Sequence, residues 1–306
     1  MWLYLVLLYG VFKGIREICK KKALNTSSSI EVLLVYSLIS FVMVIPDVGN
    51  ALGMEPKYYL YTAIKSFIIF VAWIFSFAAI KRLPLSLFGV LDLSRVLFAT
   101  LLAVTVLGER MTMFQIAGLV LVCSGLLLLR FWPGKDKKIQ EAGVAVGVNN
   151  TPLTAQEVAK LRPRQNITLY VILAFLSCAL NALSGTMDKI LMKNMNSSQL
   201  QFWYMFFLVL FYFIYAFITK QKINWKGALK NKWIWLLSIL FVVADRALFI
   251  ANADPNSKVT IMTLIKQSGC IVTILGGRFI FKEKNIMQKL VCAVIIIAGI
   301  VLGVIK

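Results

Sequence analysis

Apolar runs long enough to cross the hydrocarbon core of a bilayer, about 17–25 residues each, follow one another along almost the whole of this sequence. No other feature narrows the possible folds so far. Of the 306 residues, 60% are hydrophobic and the mean hydropathy is +0.82, whereas a soluble domain is usually about 45–50% apolar. Inside lipid every backbone N–H and C=O must find its partner within the protein, and a long apolar segment achieves this as a helix. The expected fold is therefore an all-α membrane protein that crosses the bilayer many times.

The chain also repeats itself. Leu107-Gly108-Glu109-Arg110 opens an apolar run through Leu129, and Phe281-Lys282-Glu283-Lys284 opens another that reaches Lys306. Glu109 and Glu283 stand 174 residues apart, with Gly125 answering Gly299; Glu17 and Asp188, Gly14 and Gly185, and Arg95 and Lys266 stand 171 apart. A period of roughly half the chain is a duplication, and duplication in an apolar chain is a mark of transporters.

Ten spans can be read, at 2–22, 30–46, 57–80, 84–107, 111–130, 167–193, 199–219, 231–252, 256–281 and 285–305. Pro46, Pro84 and Pro255 fall where spans end or begin. A polar linker from Pro133 to Gln165 separates two groups of five, and within it Thr154-Ala155-Gln156-Glu157 has the form of a capping box. The organisation expected is a first five-helix repeat at 1–132, the linker at 133–166 and a second five-helix repeat at 167–306. Five is odd, so the second repeat must cross in the opposite sense. That predicts ten transmembrane helices in two inverted five-helix repeats. The loops after odd-numbered spans hold Lys20-Lys21-Lys22, Lys81-Arg82, the basic linker, Lys220 to Lys232, and Lys282 with Lys284. The positive-inside rule then places these loops in the cytoplasm and both termini outside. The first residues lack a basic n-region and a small-residue cleavage site, so the first segment is expected to persist as a helix.

Several function classes fall away. The net charge of +20 comes mostly from short segments between apolar runs, so anionic lipid headgroups rather than nucleic acid are the expected counterions. Histidine is absent, which removes the commonest general base and metal ligand. Cys19, Cys123, Cys178, Cys270 and Cys292 are scattered singly with no CxxC, and read as packing residues. Neither a metal nor another cofactor is expected, and an enzyme is disfavoured without paired acids at catalytic spacing. No G-x-x-x-x-G-K-[ST] motif is present, so any transport would draw on a proton gradient or a counter-substrate.

A charge at mid-bilayer costs about 2.5–3.5 kcal/mol on insertion scales, so the charges inside the spans are the candidate functional residues. In the first span Lys13, Arg16, Glu17 and Lys20 share one helical face. Ser177, Asn181, Ser184 and Asp188 form a stripe on the sixth. For Lys13, Lys20, Lys189 and Lys193 snorkelling at a helix end is an equal alternative, and for Glu17 and Asp188 a coupling role competes with a structural ion pair. In the fourth span Asp92 and Arg95 are one turn apart; on the ninth, Thr263, Lys266, Gln267 and Cys270 form a face. Arg95 and Lys266 each follow a proline by eleven residues, which puts both roughly 16 Å into their helices. Two cations at matched depth are expected to meet at the pseudo-two-fold axis, although Asp92 and Arg95 can also close on each other. In the eighth span Asp245 and Arg246 point about 100° apart, so one is expected to line a cavity and the other to pair with a neighbouring helix. Lys65 lies about 12 Å into the third span, with Trp73 and Ser76 continuing its face. Trp73, Tyr204, Phe206 and Phe249 are packing residues or a substrate cage. Gly10-x3-Gly14 and Gly269-x3-Thr273 predict close helix crossings.

Taken together, ten spans in two halves, Leu-Gly-Glu-Arg before the fifth span and Phe-Lys-Glu-Lys before the tenth resemble the EamA-like members of the drug/metabolite transporter superfamily. Lys189 resembles a lysine frequent near the end of the sixth span in that family. The resemblance implies a ten-helix basket with a cavity between its halves, alternating access by rocking of the repeats, and structural roles for Glu109 and Glu283. Arg95 and Lys266 resemble positions at which organophosphate antiporters of the superfamily hold phosphate. The family usually keeps both termini in the cytoplasm, whereas the charge count here puts them outside.

The function expected is secondary active transport of a small polar or amphiphilic metabolite with an anionic group, in a bacterial cytoplasmic membrane. Arg95, Lys266, Asp92, Asp245, Arg246, Asn181, Gln267 and Trp73 are the candidate substrate-binding residues. Glu17 and Asp188 are the candidate coupling or ion-pair residues. A drug or amino-acid exporter with structural charge pairs is the alternative within transport; a scaffold or sensor that packs its interior shut is the alternative outside it.

Overall fold

The computed structural model describes residues 2–131, 167–283 and 286–304. The linker at 133–166, with the capping box expected at Thr154–Glu157, lies outside the described residues. Among the described residues every regular element is a helix. The long ones are α1 (Trp2–Ala23), α2 (Ser29–Ala51), α3 (Pro56–Arg82), α4 (Leu85–Leu107), α5 (Met113–Phe131), α6 (Ile167–Leu191), α7 (Ser197–Ile218), α8 (Lys232–Ala253), α9 (Val259–Phe279) and α10 (Ile286–Val304). A short helix, Trp225–Lys230, lies between α7 and α8.

Seven of these, α2, α3, α4, α6, α7, α8 and α9, are long and apolar enough to cross a membrane by length and composition. α1 has the length but carries the charged face Lys13, Arg16, Glu17 and Lys20. α5 and α10 are 19 residues each, and among their residues described in full the apolar stretches are Met113–Gly125 and Leu290–Gly299.

Local chemistry sets the helix ends. Ser28 and Glu31 form a capping box at the start of α2, and Asn196 and Gln199 form the same box at the start of α7. α4 stops at Gly108, whose φ of +65° is the left-handed conformation that glycine adopts without cost. α4 and α9 are both interrupted. A three-ten turn, Asp92–Ser94, divides α4, and α9 breaks at Gln267 and Ser268, where backbone bonds also skip only three residues.

Packing runs mainly across the chain's midpoint. α1 lies against α8 and α9, α6 against α3 and α4, α2 against α7, and α5 against α10. Close crossings rest on small residues. A methyl group added at Gly269 would sit 2.3 Å from the Gly10 carbonyl oxygen and 3.1 Å from the Gly14 nitrogen, so the two small-residue motifs read in the sequence face each other. On the α5–α10 crossing, Gly125 lies under the Cys292 carbonyl and Gly299 under the Gly118 carbonyl.

The helix starts correct one detail of the internal repeat. Glu109 accepts hydrogen bonds from the Val259 N–H (2.8 Å), the Thr260 N–H (3.3 Å) and the Thr260 hydroxyl (2.7 Å). Glu283 makes the same set of bonds with the Leu85 N–H (2.6 Å), the Ser86 N–H (3.2 Å) and the Ser86 hydroxyl. Leu85 therefore corresponds to Val259, and at that spacing Lys266 corresponds to Asp92, not to Arg95. Counting from the prolines misled because α4 begins directly after Pro84, whereas α9 begins four residues after Pro255.

Candidate functional site

A cavity lies where α1, α2, α3, α4, α6, α7, α8 and α9 converge, α2 through Tyr36, with about 960 Å³ of space free of atoms, its open mouth included. α1 contributes Tyr9, Lys13, Arg16, Glu17 and Lys20; α6 contributes Asn181, Ser184, Gly185 and Asp188. Lys65, Trp73 and Ser76 come from α3, Asp92 and Arg95 from α4, and Tyr204 from α7. Phe241, Asp245 and Phe249 come from α8, and Thr263 and Lys266 from α9. Spacing explains the convergence: Lys13, Arg16, Glu17 and Lys20 stack on one helical face and are all buried, turned inward rather than snorkelling.

The two helix breaks meet at one polar knot. Asp92 opens the three-ten turn of α4 and pairs with Lys13 through one carboxylate oxygen and with Arg95 (2.8 Å) through the other. The Lys13 ammonium also donates to Gln267 Oε1 (2.8 Å) at the break of α9, and Gln267 Nε2 donates to the Asp92 carbonyl (3.4 Å). A helix break leaves backbone groups without their usual partners, and here the Gln267 side chain of α9 takes part of that role at the Asp92 carbonyl of α4.

Further ion pairs ring the cavity. Arg16 pairs with Asp245 (3.1 Å), and its guanidinium lies 5.4 Å from the ring centres of Tyr9 and Phe241. Lys20 pairs with Glu17 (2.6 Å). Lys65, 2% exposed, pairs with Asp188 (3.0 Å) and sits 3.3 Å from the ring centre of Tyr204. Lys266 has no carboxylate within 4 Å among the described residues, and Arg95 has a buried Nε without a hydrogen-bond partner. Six cations thus face four carboxylates around the cavity, a surplus of positive charge in a low-dielectric setting where anions are attracted strongly.

Of the residues singled out in the sequence, Arg95, Lys266, Asp92, Asp245, Asn181, Trp73, Glu17 and Asp188 all line this cavity. Gln267 and Arg246 do not. Gln267 is 1% exposed and lies behind the lining, between Lys13 and the Asp92 carbonyl. Arg246 points away around α8 to Asp47, Ser197 (3.3 Å) and Ser198 (2.7 Å), as its 100° offset from Asp245 requires. Glu17 and Asp188 each pair with a lysine. Lys189 donates to the Asn252 and Asp254 carbonyls and the Ser257 hydroxyl, fastening α6 to the α8–α9 loop. Phe206 lies against Phe41 and Trp203, outside the cavity lining. The sequence did not disclose Tyr9 as a lining residue, nor the partners Lys13–Asp92, Arg16–Asp245 and Lys65–Asp188. The shared face on α1 was the available signal.

The model of the EamA-like transporter family matches residues 1–131 and 168–305. A solved structure described only as "Crystal structure of protein" is similar at a TM-score of 0.61 and 10% identity, covering 96% of this chain and 95% of that one; at that identity the likeness is one of fold. No curated protein matches the sequence.

Proposed function

Since the chain belongs to the EamA-like transporter family, a family of membrane transporters, we propose that it moves a small polar or amphiphilic metabolite carrying an anionic group, by alternating access and as a secondary active transporter. The observation that carries this reading is the cationic surplus of the cavity, and above all Lys266, a cation on its wall with no carboxylate within 4 Å among the described residues. Desolvating such a charge without a partner is costly, so a site that keeps one is poised to receive a counter-charge. Arg95, a second lining cation on the helix packed beside it, supplies a directional donor.

Two inverted five-helix repeats are part of the proposal. Supporting them are the matched capping boxes, the matched turn acids and the matched glycine crossings of α5 and α10. The charge-lined cavity supports transport over a scaffold, which would pack its interior shut. The membrane proposed is a bacterial cytoplasmic membrane, with energy from a proton gradient or counter-substrate.

Thermal unfolding of the purified protein against a metabolite panel tests the reading, because a ligand of the native state raises its apparent stability. Arg95→Ala and Lys266→Ala should each abolish stabilisation by the best anionic ligand while the protein stays folded. Full affinity in both variants would dispose of the anion site.

A further inference from the structure

We propose that Asp92 is an internal competitor for the substrate's anionic group, setting anion affinity by holding Arg95 until the ligand takes its place. The inference rests on the anion-binding reading above and assigns Asp92 a role opposite to that of a ligand for positive charge.

The geometry is that of a shared, half-committed cation. Arg95 gives one guanidinium nitrogen to Asp92 (2.8 Å), while its Nε is buried and has no hydrogen-bond partner among the described residues. Its side chain is 19% exposed, the largest exposure in this knot, and lines the cavity on the helix that packs beside α9 and its Lys266. An anion seated between Arg95 and Lys266 must therefore share or replace the Asp92 carboxylate on Arg95.

Asp92 can release Arg95 without being left alone. Its second oxygen is held by Lys13, which is itself anchored to Gln267 Oε1 at 2.8 Å. Cys178 Sγ stands 3.7 Å from the oxygen that Arg95 uses. One carboxylate thus has a permanent cation and a contestable one. The exchange falls at the interruption of α4, and Lys13 with Gln267 links it to the interruption of α9. Like-charge repulsion between Asp92 and an incoming anion weakens binding, which a carrier needs in order to release its solute.

The test is anion binding by purified protein in detergent, read as thermal stabilisation at fixed ionic strength by inorganic phosphate and separately by citrate. Asp92→Asn frees Arg95, and apparent affinity should rise about tenfold, the worth of one charge-assisted hydrogen bond. The double variant Lys13→Met/Asp92→Asn removes an opposite pair and keeps the cavity's net charge, so it guards against loss of fold in the single one. It should also bind more tightly than the native protein. If both variants bind no more tightly than native while Lys266→Ala still abolishes binding, the competitor role is wrong and the anion site stands. If neither anion stabilises any form, native included, the anion site itself fails and this role with it.

Discussion

An ammonium group buried in a membrane protein persists only where its surroundings replace water, and Lys65 shows how. Asp188 lies 3.0 Å away, and the rings of Tyr204 and Phe249 face the charge at 3.3 and 5.2 Å from their centres. Removing one member should hurt more than removing both. Lys65→Met or Asp188→Leu alone should cost about 3–5 kcal/mol, because the charge left behind has lost its partner. The double variant should regain most of that loss, and a double-mutant cycle from unfolding measurements reads the difference. A loss in the double variant equal to the sum of the two single losses would mean that the pair is not coupled. The depth of Lys65 was legible from its place in an apolar run, but its partner was not. The partner sits on α6, and no local pattern announces a contact between distant segments. The same holds for Lys13 with Asp92 and Arg16 with Asp245, where each charge was visible and the pairing was not.

Among the elements, α1 and α9 come together on glycine, and the crossing has no slack. Gly269→Ala places a methyl group 2.3 Å from the Gly10 carbonyl oxygen, so the two backbones must part. Overpacking of this kind typically costs about 1–3 kcal/mol. Gly185 is the control, since a methyl group there meets nothing within 4 Å and the cavity has room for it. Gly185→Ala should leave the unfolding temperature in detergent unchanged or slightly raised, while Gly269→Ala lowers it. The crossing was readable from the small-residue spacing alone, since a four-residue step on a helix returns to one face. The register of α4 against α9 was not. Prolines mark where a helix is allowed to begin, and side-chain capping by Glu283 and Glu109 decides where it does begin. Glu109 and Glu283, expected in structural roles, each serve the start of a helix distant in sequence.

For the molecule as a whole, the sidedness of the spans remains a matter of basic residues at their ends. Lys226, on the short helix before α8, and Lys258, just ahead of α9, are both exposed and lie in loops that the positive-inside rule assigns to opposite faces. Single cysteines at these two positions, in an otherwise cysteine-free protein, should differ in labelling by an impermeant maleimide added to intact cells. The prediction is a labelled 258 and a protected 226, and external labelling of 226 would reverse the orientation. Helical class and apolar segmentation were legible at this scale because composition and run length dictate them. A cavity was anticipated from the buried charges and from the family resemblance, but its full lining was not, since its walls come from eight helices.

The acid after α4 completes the first turn of α9, and the acid after α9 completes the first turn of α4. α1 is likewise married to α8 and α9, and α6 to α3 and α4. Neither half of the chain is therefore finished by itself, since each supplies the acid that completes a helix start in the other. Any motion that parts these helices has to divide the molecule along a different seam from the chain's midpoint, or break the fastenings that join its two halves.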